Sequence, residues 1–216
     1  RTVIERDYSS RMCRRWFWFL CLWLGCLFLI SPWDLVLSRN LTDGGNGFGR
    51  LINDWGQVPG WIGVALALFC LVTRNQMLPK PLAKCIVLQG LVQGLLVTHT
   101  LKQLRGRVRP SNISPDPIEY SPFYLPAGPL HGESFPSGHV AAAMMLAPIP
   151  FYFWRIGKPR TAALSLAVLL VYWISVAYGR IVFGVHFPTD CLFSIGFGLL
   201  LAALTTRYYS GRSRKS

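Results

Sequence analysis

The sequence predicts an all-α integral membrane protein with six transmembrane helices. Its 216 residues are 52% hydrophobic and only 14% charged, and their mean hydropathy is +0.37. In an ordinary soluble domain about a quarter of the residues are charged. Several apolar runs approach the length of about 20 residues that crosses a bilayer. Most basic residues fall in alternate loops between those runs. Composition, segment length and charge pattern therefore all indicate a membrane protein.

Six apolar segments supply the predicted helices. The first follows a basic stretch, but it is too long and too rich in Trp and Phe for a cleaved signal peptide. It also lacks a small-residue cleavage site, so we interpret it as a retained helix. The second and fourth segments are short and would need flanking residues or a locally thin bilayer. The segments are Trp16–Trp33, Val58–Val72, Leu82–Leu101, Val140–Trp154, Thr161–Tyr178 and Phe187–Thr206.

The distribution of basic residues predicts the orientation of these helices. One set of alternate loops, made of residues 1–15, 73–84, 155–160 and 207–216, holds 15 of the 22 Lys and Arg residues. Cytoplasmic loops carry such an excess, so both termini are predicted to be cytoplasmic. The net charge of +13 thus reports topology, and we do not interpret it as a sign of a nucleic-acid partner.

The chain is predicted to form a single domain over residues 1–216. It contains no internal repeat and no linker long enough to separate two domains. None of the six cysteines lies in a predicted external loop, so a disulfide framework is not expected. The short loops and small size favour the inner membrane of a bacterium.

Three short patterns place polar residues on the side opposite the basic loops. Polar side chains are costly near a bilayer, so their clustering at one face suggests a functional site. The patterns are "KQLRGRVRP" with Lys102 and Arg109, "PSGH" with Ser137, Gly138 and His139, and "GRIVFGVHFPTD" with Arg180, His186 and Asp190.

The residue types in these patterns suit a phosphate group. Arginine offers a planar fork to paired oxygens, and lysine offers a point charge. Ser137 and Gly138 open a helix, whose first N–H groups lack internal partners and can bind an anion. The alternatives are that Ser137 is an ordinary N-cap and that the cations extend along the bilayer toward headgroups. We apply the second alternative to Arg105 and Arg107, and we keep both out of the site.

Taken together and in this order, the patterns resemble the three-part signature of the type 2 phosphatidic acid phosphatase (PAP2) superfamily. The resemblance covers about residues 99–190 and the six-helix layout. It implies a PAP2-like bundle with the active site at the external membrane face. One departure is Gly179, because the family usually has serine before the arginine. Since Arg180 is kept, we expect the loss of one hydrogen bond and not of the chemistry.

The resemblance also implies a role for each residue. His186 would be the nucleophile that forms a phosphohistidine, and His139 the general acid that protonates the leaving oxygen. Asp190, four residues after His186, can hold one nitrogen of that imidazole. No cofactor or metal is implied, and three nearby cations would repel a metal ion. The residues implied to bind phosphate are Lys102, Arg109, Ser137, Gly138 and Arg180.

The expected function is hydrolysis of a membrane lipid phosphate or pyrophosphate. The candidate substrates implied by the family are phosphatidylglycerol phosphate, undecaprenyl pyrophosphate, lipid A 1-phosphate and phosphatidic acid. A lipid-to-lipid phosphotransferase of the same fold is an alternative, because the same phosphohistidine would serve it. An inactive membrane binding protein or anion channel is a third, although the complete residue set argues against it.

Two further features concern the packing of the chain. The proline-rich stretch 110–135 contains Tyr120, Phe123 and Tyr124, and it is either a lid that selects headgroups or a connector packed on the membrane interface. Gln89 and Gln93 lie at helical spacing in the third segment and are predicted to form interhelical hydrogen bonds.

Overall fold

The computed structural model describes residues 3–43 and 47–212, and within these ranges the chain forms helices and loops without a β-strand. This confirms the predicted all-α class. Some residues that contribute to the predicted charge asymmetry, namely Arg1, Arg214 and Lys215, lie outside the described residues.

The helices follow one another with short connections. A 3₁₀ turn at Ser31–Trp33 joins α1 to α2, and a π-helical stretch at Gly90–Val97 joins α5 to α6. The α-helices are α1 Val3–Ile30, α2 Asp34–Leu41, α3 Gly47–Trp55, α4 Val58–Val72, α5 Lys80–Gln89, α6 Thr98–Arg105, α7 Gly138–Ala143, α8 Pro148–Arg155, α9 Pro159–Val182 and α10 Pro188–Arg212.

Five helical segments of the described chain are long and apolar enough to cross a membrane. Five of the six predicted segments fall within them, apart from Phe187 at the start of the last. Each segment carries large apolar side chains on its surface, as a lipid-facing helix does. The five are Trp16–Leu41, Gly47–Val72, Lys80–Asn112, Pro159–Val182 and Pro188–Tyr209.

The remaining predicted segment, Val140–Trp154, is helical but interrupted. After α7 the chain forms a 3₁₀ turn at Met144–Leu146, and α8 begins at Pro148. Proline has no N–H to give to the preceding turn, so the α-helical hydrogen bonding is interrupted at this point. The described structure therefore supports five spans by length and composition, and a sixth through α7 and α8 stays a prediction.

The α7 helix lies in the centre of the bundle. Its residues Val140 to Ala143 are at most 1% exposed. The indole N–H of Trp173 in α9 donates to the carbonyl of Ala143 over 3.0 Å. On the other side a Cβ on Gly60 of α4 would lie only 2.0 Å from the carbonyl oxygen of Ala142. Small residues thus bring neighbouring helices into close contact around α7.

The glutamines of the third segment form the predicted interhelical hydrogen bonds. Gln89 donates to the carbonyl of Gly198 over 2.9 Å, and Gln93 donates to the carbonyl of Ser194 over 2.7 Å. Both side chains are buried. They attach the third segment to α10, which confirms this prediction.

The aromatic residues of the 110–135 stretch pack against the end of α1. The Tyr120 hydroxyl donates to the carbonyl of Ser31 over 2.9 Å. Phe123 is buried in a cluster with Leu27, and Tyr124 lies beside the Phe28 ring at a centroid distance of 5.5 Å. For these aromatics the structure favours the interpretation as a packed connector.

Candidate active site

The predicted site residues come together where α6 ends and where α7 and α10 begin. The N–H of Ser137, just before α7, donates to the carbonyl of Asp190 in the first turn of α10 over 3.3 Å. Ser194, one turn further, donates to the carbonyls of both residues at 3.1 Å. These bonds hold the "PSGH" pattern against the start of α10.

His186 lies in the connection between α9 and α10 and is 2% exposed. Its Nδ1 lies 2.6 Å from the carbonyl oxygen of Ser134. A carbonyl only accepts hydrogen bonds, so Nδ1 carries the proton and Nε2 keeps its lone pair. Burial lowers the pKa of His186 to about 4, against a smaller upward effect of Asp190. The imidazole is therefore neutral at pH 7 and has a free nucleophilic nitrogen.

Asp190 acts on His186 mainly through Ser134. Its carboxylate lies 3.7 Å from Nδ1 of His186, which is too long for a hydrogen bond. The Ser134 hydroxyl donates to Asp190 Oδ2 over 2.6 Å, and the Phe187 N–H donates to the same oxygen over 2.9 Å. Asp190 thus fixes both Ser134, whose carbonyl holds the ring of His186, and Phe187, the next residue in the chain. Ser134 was missed in the sequence, because a backbone carbonyl gives no signal in the residue pattern.

Arg107 is not a side chain that extends toward headgroups. It is 1% exposed, and its guanidinium lies 2.6 Å from Asp190 and 2.9 Å from Asp34. The guanidinium also stacks on the Phe187 ring, 3.9 Å from the centroid. The prediction for Arg107 was therefore wrong. Two carboxylates form ion pairs with its buried guanidinium, and an unpaired charge at this position would be very costly.

Asp34, at the start of α2, is the second residue that sequence analysis missed. It is fully buried, accepts the Thr189 N–H over 3.0 Å and accepts the Thr189 hydroxyl as well. An acid at the end of an apolar run was the available signal, because such residues are rare and usually have a partner. Through Arg107 and Thr189, Asp34 links the first span to the loop of His186.

Arg105 lies apart from this network. Its guanidinium lies 5.1 Å from the centroid of the Phe135 ring, and the side chain is half-buried. The structure gives Arg105 a cation–π contact with this loop, so it does not simply reach to headgroups either.

His139 lies in the first turn of α7. Its Nε2 is 2.8 Å from the carbonyl oxygen of Asn53 in α3, so Nε2 carries the proton and Nδ1 is the nitrogen left unprotonated. Burial, the charge of Arg180 and smaller effects of Lys102 and Arg109 lower the pKa of His139 to about 4, while the Asn53 carbonyl raises it. Three predicted phosphate-binding cations thus act on this imidazole.

Two buried donors at the site have no partner among the described residues. They are the hydroxyl of Ser137 and the Nε of Arg180, and both side chains are at most 5% exposed. Ser137 precedes α7 but makes no capping hydrogen bond, so the ordinary N-cap interpretation is wrong. Buried donors usually find an acceptor, so both groups are available to a ligand.

The backbone beside these donors is open. A Cβ on Gly138 would meet only the methyl group of Thr98 within 4 Å, at 3.7 Å. Neighbouring protein atoms therefore do not require glycine here. Its missing side chain leaves space in which a ligand can approach the backbone.

Lys102 and Arg109 lie at the edge of the site. Lys102 is half-buried in the last turn of α6. Arg109 pairs with Glu133 over 3.3 Å, and both side chains are exposed. Exposed ion pairs contribute little to stability, so Glu133 does not hold Arg109 strongly in this position.

Gly179 has a steric reason to be glycine. A Cβ at this position would lie 2.5 Å from the Cβ of Ile52 in α3, a distance that real Cβ atoms do not reach. The departure from the family pattern therefore accompanies the close approach of α3, and the space of the usual serine side chain is filled by Ile52.

The whole arrangement suits transfer of a phosphate group. Two neutral imidazoles, each with one nitrogen held by a carbonyl, lie beside cations and unpartnered donors. Within residues 3–43 and 47–212, no three His, Cys, Asp or Glu side chains are grouped so that they could hold a metal ion.

Comparison with known proteins gives one match. A family model described as PAP2 superfamily matches residues 82–214, which is more than half of the chain. No curated protein and no solved structure gives a significant match.

Proposed function

This chain belongs to the PAP2 superfamily, and from that premise we propose that it is an integral membrane phosphatase acting on a lipid phosphate or pyrophosphate. Members of the superfamily are generally phosphatases, so membership supports a hydrolase in coarse terms. The observation that carries the proposal is the pair of neutral histidines beside the unpartnered donors of Ser137 and Arg180. Because the described residues include five apolar helical segments of membrane-spanning length, a substrate whose tails stay in the bilayer can reach such a site.

The first step transfers the phosphoryl group to His186. Its Nε2 lone pair attacks phosphorus, and the bond from phosphorus to the lipid oxygen breaks. His139 donates a proton to that oxygen, so the lipid leaves as a neutral alcohol, or as a lipid phosphate if the substrate is a pyrophosphate. Nδ1 of His186 keeps its proton and donates a hydrogen bond to the Ser134 carbonyl, which keeps the ring oriented throughout.

His139 needs a proton before this step, although it is neutral in the free protein at pH 7. Burial and nearby cations lower its pKa. A bound phosphate dianion offsets the positive charges of Arg180, Lys102 and Arg109, so it raises the pKa again. Substrate binding thus favours the protonated form that general acid catalysis requires.

The second step releases inorganic phosphate. Water attacks the phosphohistidine, and the neutral His139 now accepts a proton from that water. The phosphorus–nitrogen bond breaks and His186 regains its lone pair. In both steps charge on the peripheral phosphate oxygens is stabilised by hydrogen bonds and cations, which we assign to Lys102, Arg109, Ser137, Gly138 and Arg180. No metal has a role in this mechanism.

The proposal includes a topology. The α7–α8 segment would be the fourth of six spans, with both termini in the cytoplasm of a bacterium and the active site at the periplasmic face of the inner membrane. The support comes from the charge pattern, since the loops that carry the site alternate with those that hold 15 of the 22 basic residues.

Phosphate release from a panel of lipids tests the proposed function. Purified protein in detergent is incubated with phospholipid, isoprenoid and lipid A phosphates, each with and without chelator. We expect release from at least one lipid, unchanged by chelation. Transfer of label only to an added lipid acceptor would favour the phosphotransferase instead. Activity that is lost with chelator and restored by metal would contradict the mechanism.

A further inference from the structure

Helix α3 brings one residue into contact with two members of the site. The backbone carbonyl of Asn53 lies 2.8 Å from Nε2 of His139, and its side-chain Oδ1 accepts a hydrogen bond from Nη1 of Arg180. His139 and Arg180 come from different helices, and Asn53 is half-buried between them. One residue therefore joins an imidazole of α7 to a guanidinium of α9.

Close packing fixes the position of α3. Gly179 in α9 has no side chain, and Ile52 of α3 packs into the space this leaves. A Cβ added to Gly179 would lie 2.5 Å from the Cβ of Ile52. At the end of α3, the carbonyl of Gly56 accepts the Tyr172 hydroxyl over 2.8 Å. Both contacts anchor the residues on either side of Asn53 to α9.

We propose that Asn53 is a positioning residue that holds His139 and Arg180 in the geometry needed for phosphate transfer. This inference rests on the proposed function of the same site. The carbonyl of Asn53 accepts a hydrogen bond from the Nε2–H of His139, which leaves Nδ1 as the nitrogen for the leaving group. The amide of Asn53 holds one arm of Arg180, so the unpartnered Nε of that arginine is directed to the phosphate.

The proton transfer follows from this arrangement. In the protonated imidazole of His139, Nε2 keeps its proton and donates it in a hydrogen bond to the Asn53 carbonyl. The Nδ1 proton passes to the leaving oxygen as the bond between phosphorus and that oxygen breaks. A carbonyl at Nε2 stabilises the charged ring before transfer, much as an acceptor orients the base in a catalytic triad.

Displacing α3 tests the link to His139. Gly179→Ala introduces a Cβ that collides with Ile52, so α3 must shift and carry the Asn53 carbonyl away from His139. The matched control is Gly49→Ala, also on the α3–α9 contact, where the new Cβ would lie at an ordinary 3.4 Å from the nearest atom of Phe183. We expect the control to keep wild-type activity.

The readout is the dependence on the leaving group. An alkyl lipid phosphate needs a general acid, whereas an activated aryl phosphate needs it much less. Gly179→Ala is expected to lower kcat on the alkyl substrate at least about tenfold more than on the aryl substrate. Equal losses on both substrates would mean that α3 only supports the fold, and they would overturn the inference.

Asn53→Ala tests the link to Arg180 without moving the backbone carbonyl. Inorganic phosphate, used as a competitive inhibitor, is expected to bind several-fold more weakly to this variant, while the ratio of alkyl to aryl rates stays unchanged. Unchanged phosphate binding would contradict the role of the side chain.

A measurement without turnover separates this inference from the proposed function. In protein labelled with ¹⁵N-histidine, the signal of His139, assigned by its loss in His139→Gln, should report a neutral ring protonated at Nε2 at pH 7. Gly179→Ala should convert it to a mixture of tautomers. A wild-type ring protonated at Nδ1 would overturn the role of Asn53. A wild-type protein that hydrolyses no lipid phosphate would contradict only the proposed function, and the tautomer would still decide the role of Asn53.

Discussion

The guanidinium of Arg107 lies 2.6 Å from the carboxylate of Asp190, and neither side chain is more than 1% exposed. The same guanidinium lies 2.9 Å from Asp34. A buried cation with two acidic partners is strongly stabilised only as a complete set, because each lost partner leaves an uncompensated charge in a medium of low polarity. This relationship ties the loop of His186 to the first span.

Arg107→Met is predicted to destabilise the protein and to abolish activity. It leaves two buried carboxylates without their cation, a change that costs about 3–5 kcal/mol. Thermal unfolding in detergent, followed by a phosphate-release assay, measures both effects. Arg105→Met is the matched control, because that half-buried side chain makes a single cation–π contact worth about 1 kcal/mol or less. Equal destabilisation by the two variants would contradict the importance of the ion pairs.

His186→Ala is predicted to abolish turnover and the phosphoenzyme together. Among the described residues only His186 is held by the Ser134 carbonyl, and the other imidazole of the site, His139, is assigned to acid catalysis, so we expect no substitute nucleophile. The measurement is acid quenching after brief incubation with ³²P-labelled lipid, followed by detection of acid-labile label on the protein. Label that persists in the variant would assign the nucleophile to another residue.

The acid limb of the pH profile is predicted to lie near pH 4. The pKa of His186 is lowered to about 4 by burial, so its nucleophilic neutral form is lost only as the pH falls through that value. An unperturbed histidine would lose activity near pH 6.5. The profile of kcat/KM, which reports the free enzyme, is measured with activated aryl phosphates of different second pKa, because these depend little on the protonation of His139, whose pKa is also about 4. If the acid limb shifts with the second pKa of the substrate, it reports ionisation of the substrate. An acid limb near pH 6.5 that is the same for all substrates would contradict a buried environment for His186.

The active site is predicted to face the outside of the cell. Ile118→Cys lies in the 110–135 stretch at a position that is 89% exposed, and it should react with an impermeant thiol reagent in intact cells. Gln76→Cys, exposed between α4 and α5, should react only after the membrane is opened. The unsubstituted chain measures the background from the six native cysteines. The reverse pattern would invert the topology and leave the chemistry unaffected.

Residues whose chemistry is visible in the side chain could be predicted from the sequence. Lys102, His139, Arg180 and His186 stand in short patterns with a charge or an imidazole, and the structure brings these patterns to one region. Ser134 and Asn53 could not be predicted in this way, because the groups that hold the two imidazoles are backbone carbonyls, which every residue has. The break between α7 and α8 was missed for a different reason, since Pro148 and Pro150 do not interrupt the apolar character by which the segment was predicted.

Long-range pairing explains the other errors. Arg107 and Asp34 are 73 residues apart, and each alone resembles an ordinary polar residue at the end of an apolar run. Gly179 is informative only once Ile52 is known to occupy its side-chain space. Which residues pair, and which side chain fills the space beside a glycine, is determined by the folded bundle. The spacing of residues within one segment does not predict either.

The contacts of Asp34 and Asn53 bear on where the functional unit begins. The family match starts at residue 82, yet one of these residues balances the charge of Arg107 and the other bonds to His139 and Arg180. A fragment trimmed to the matched region would therefore keep every signature residue and lose two of the groups that hold them. The first residue of the family match and the first residue needed by the site therefore differ. A truncated or fused form of this protein should retain the residues from Asp34 onward.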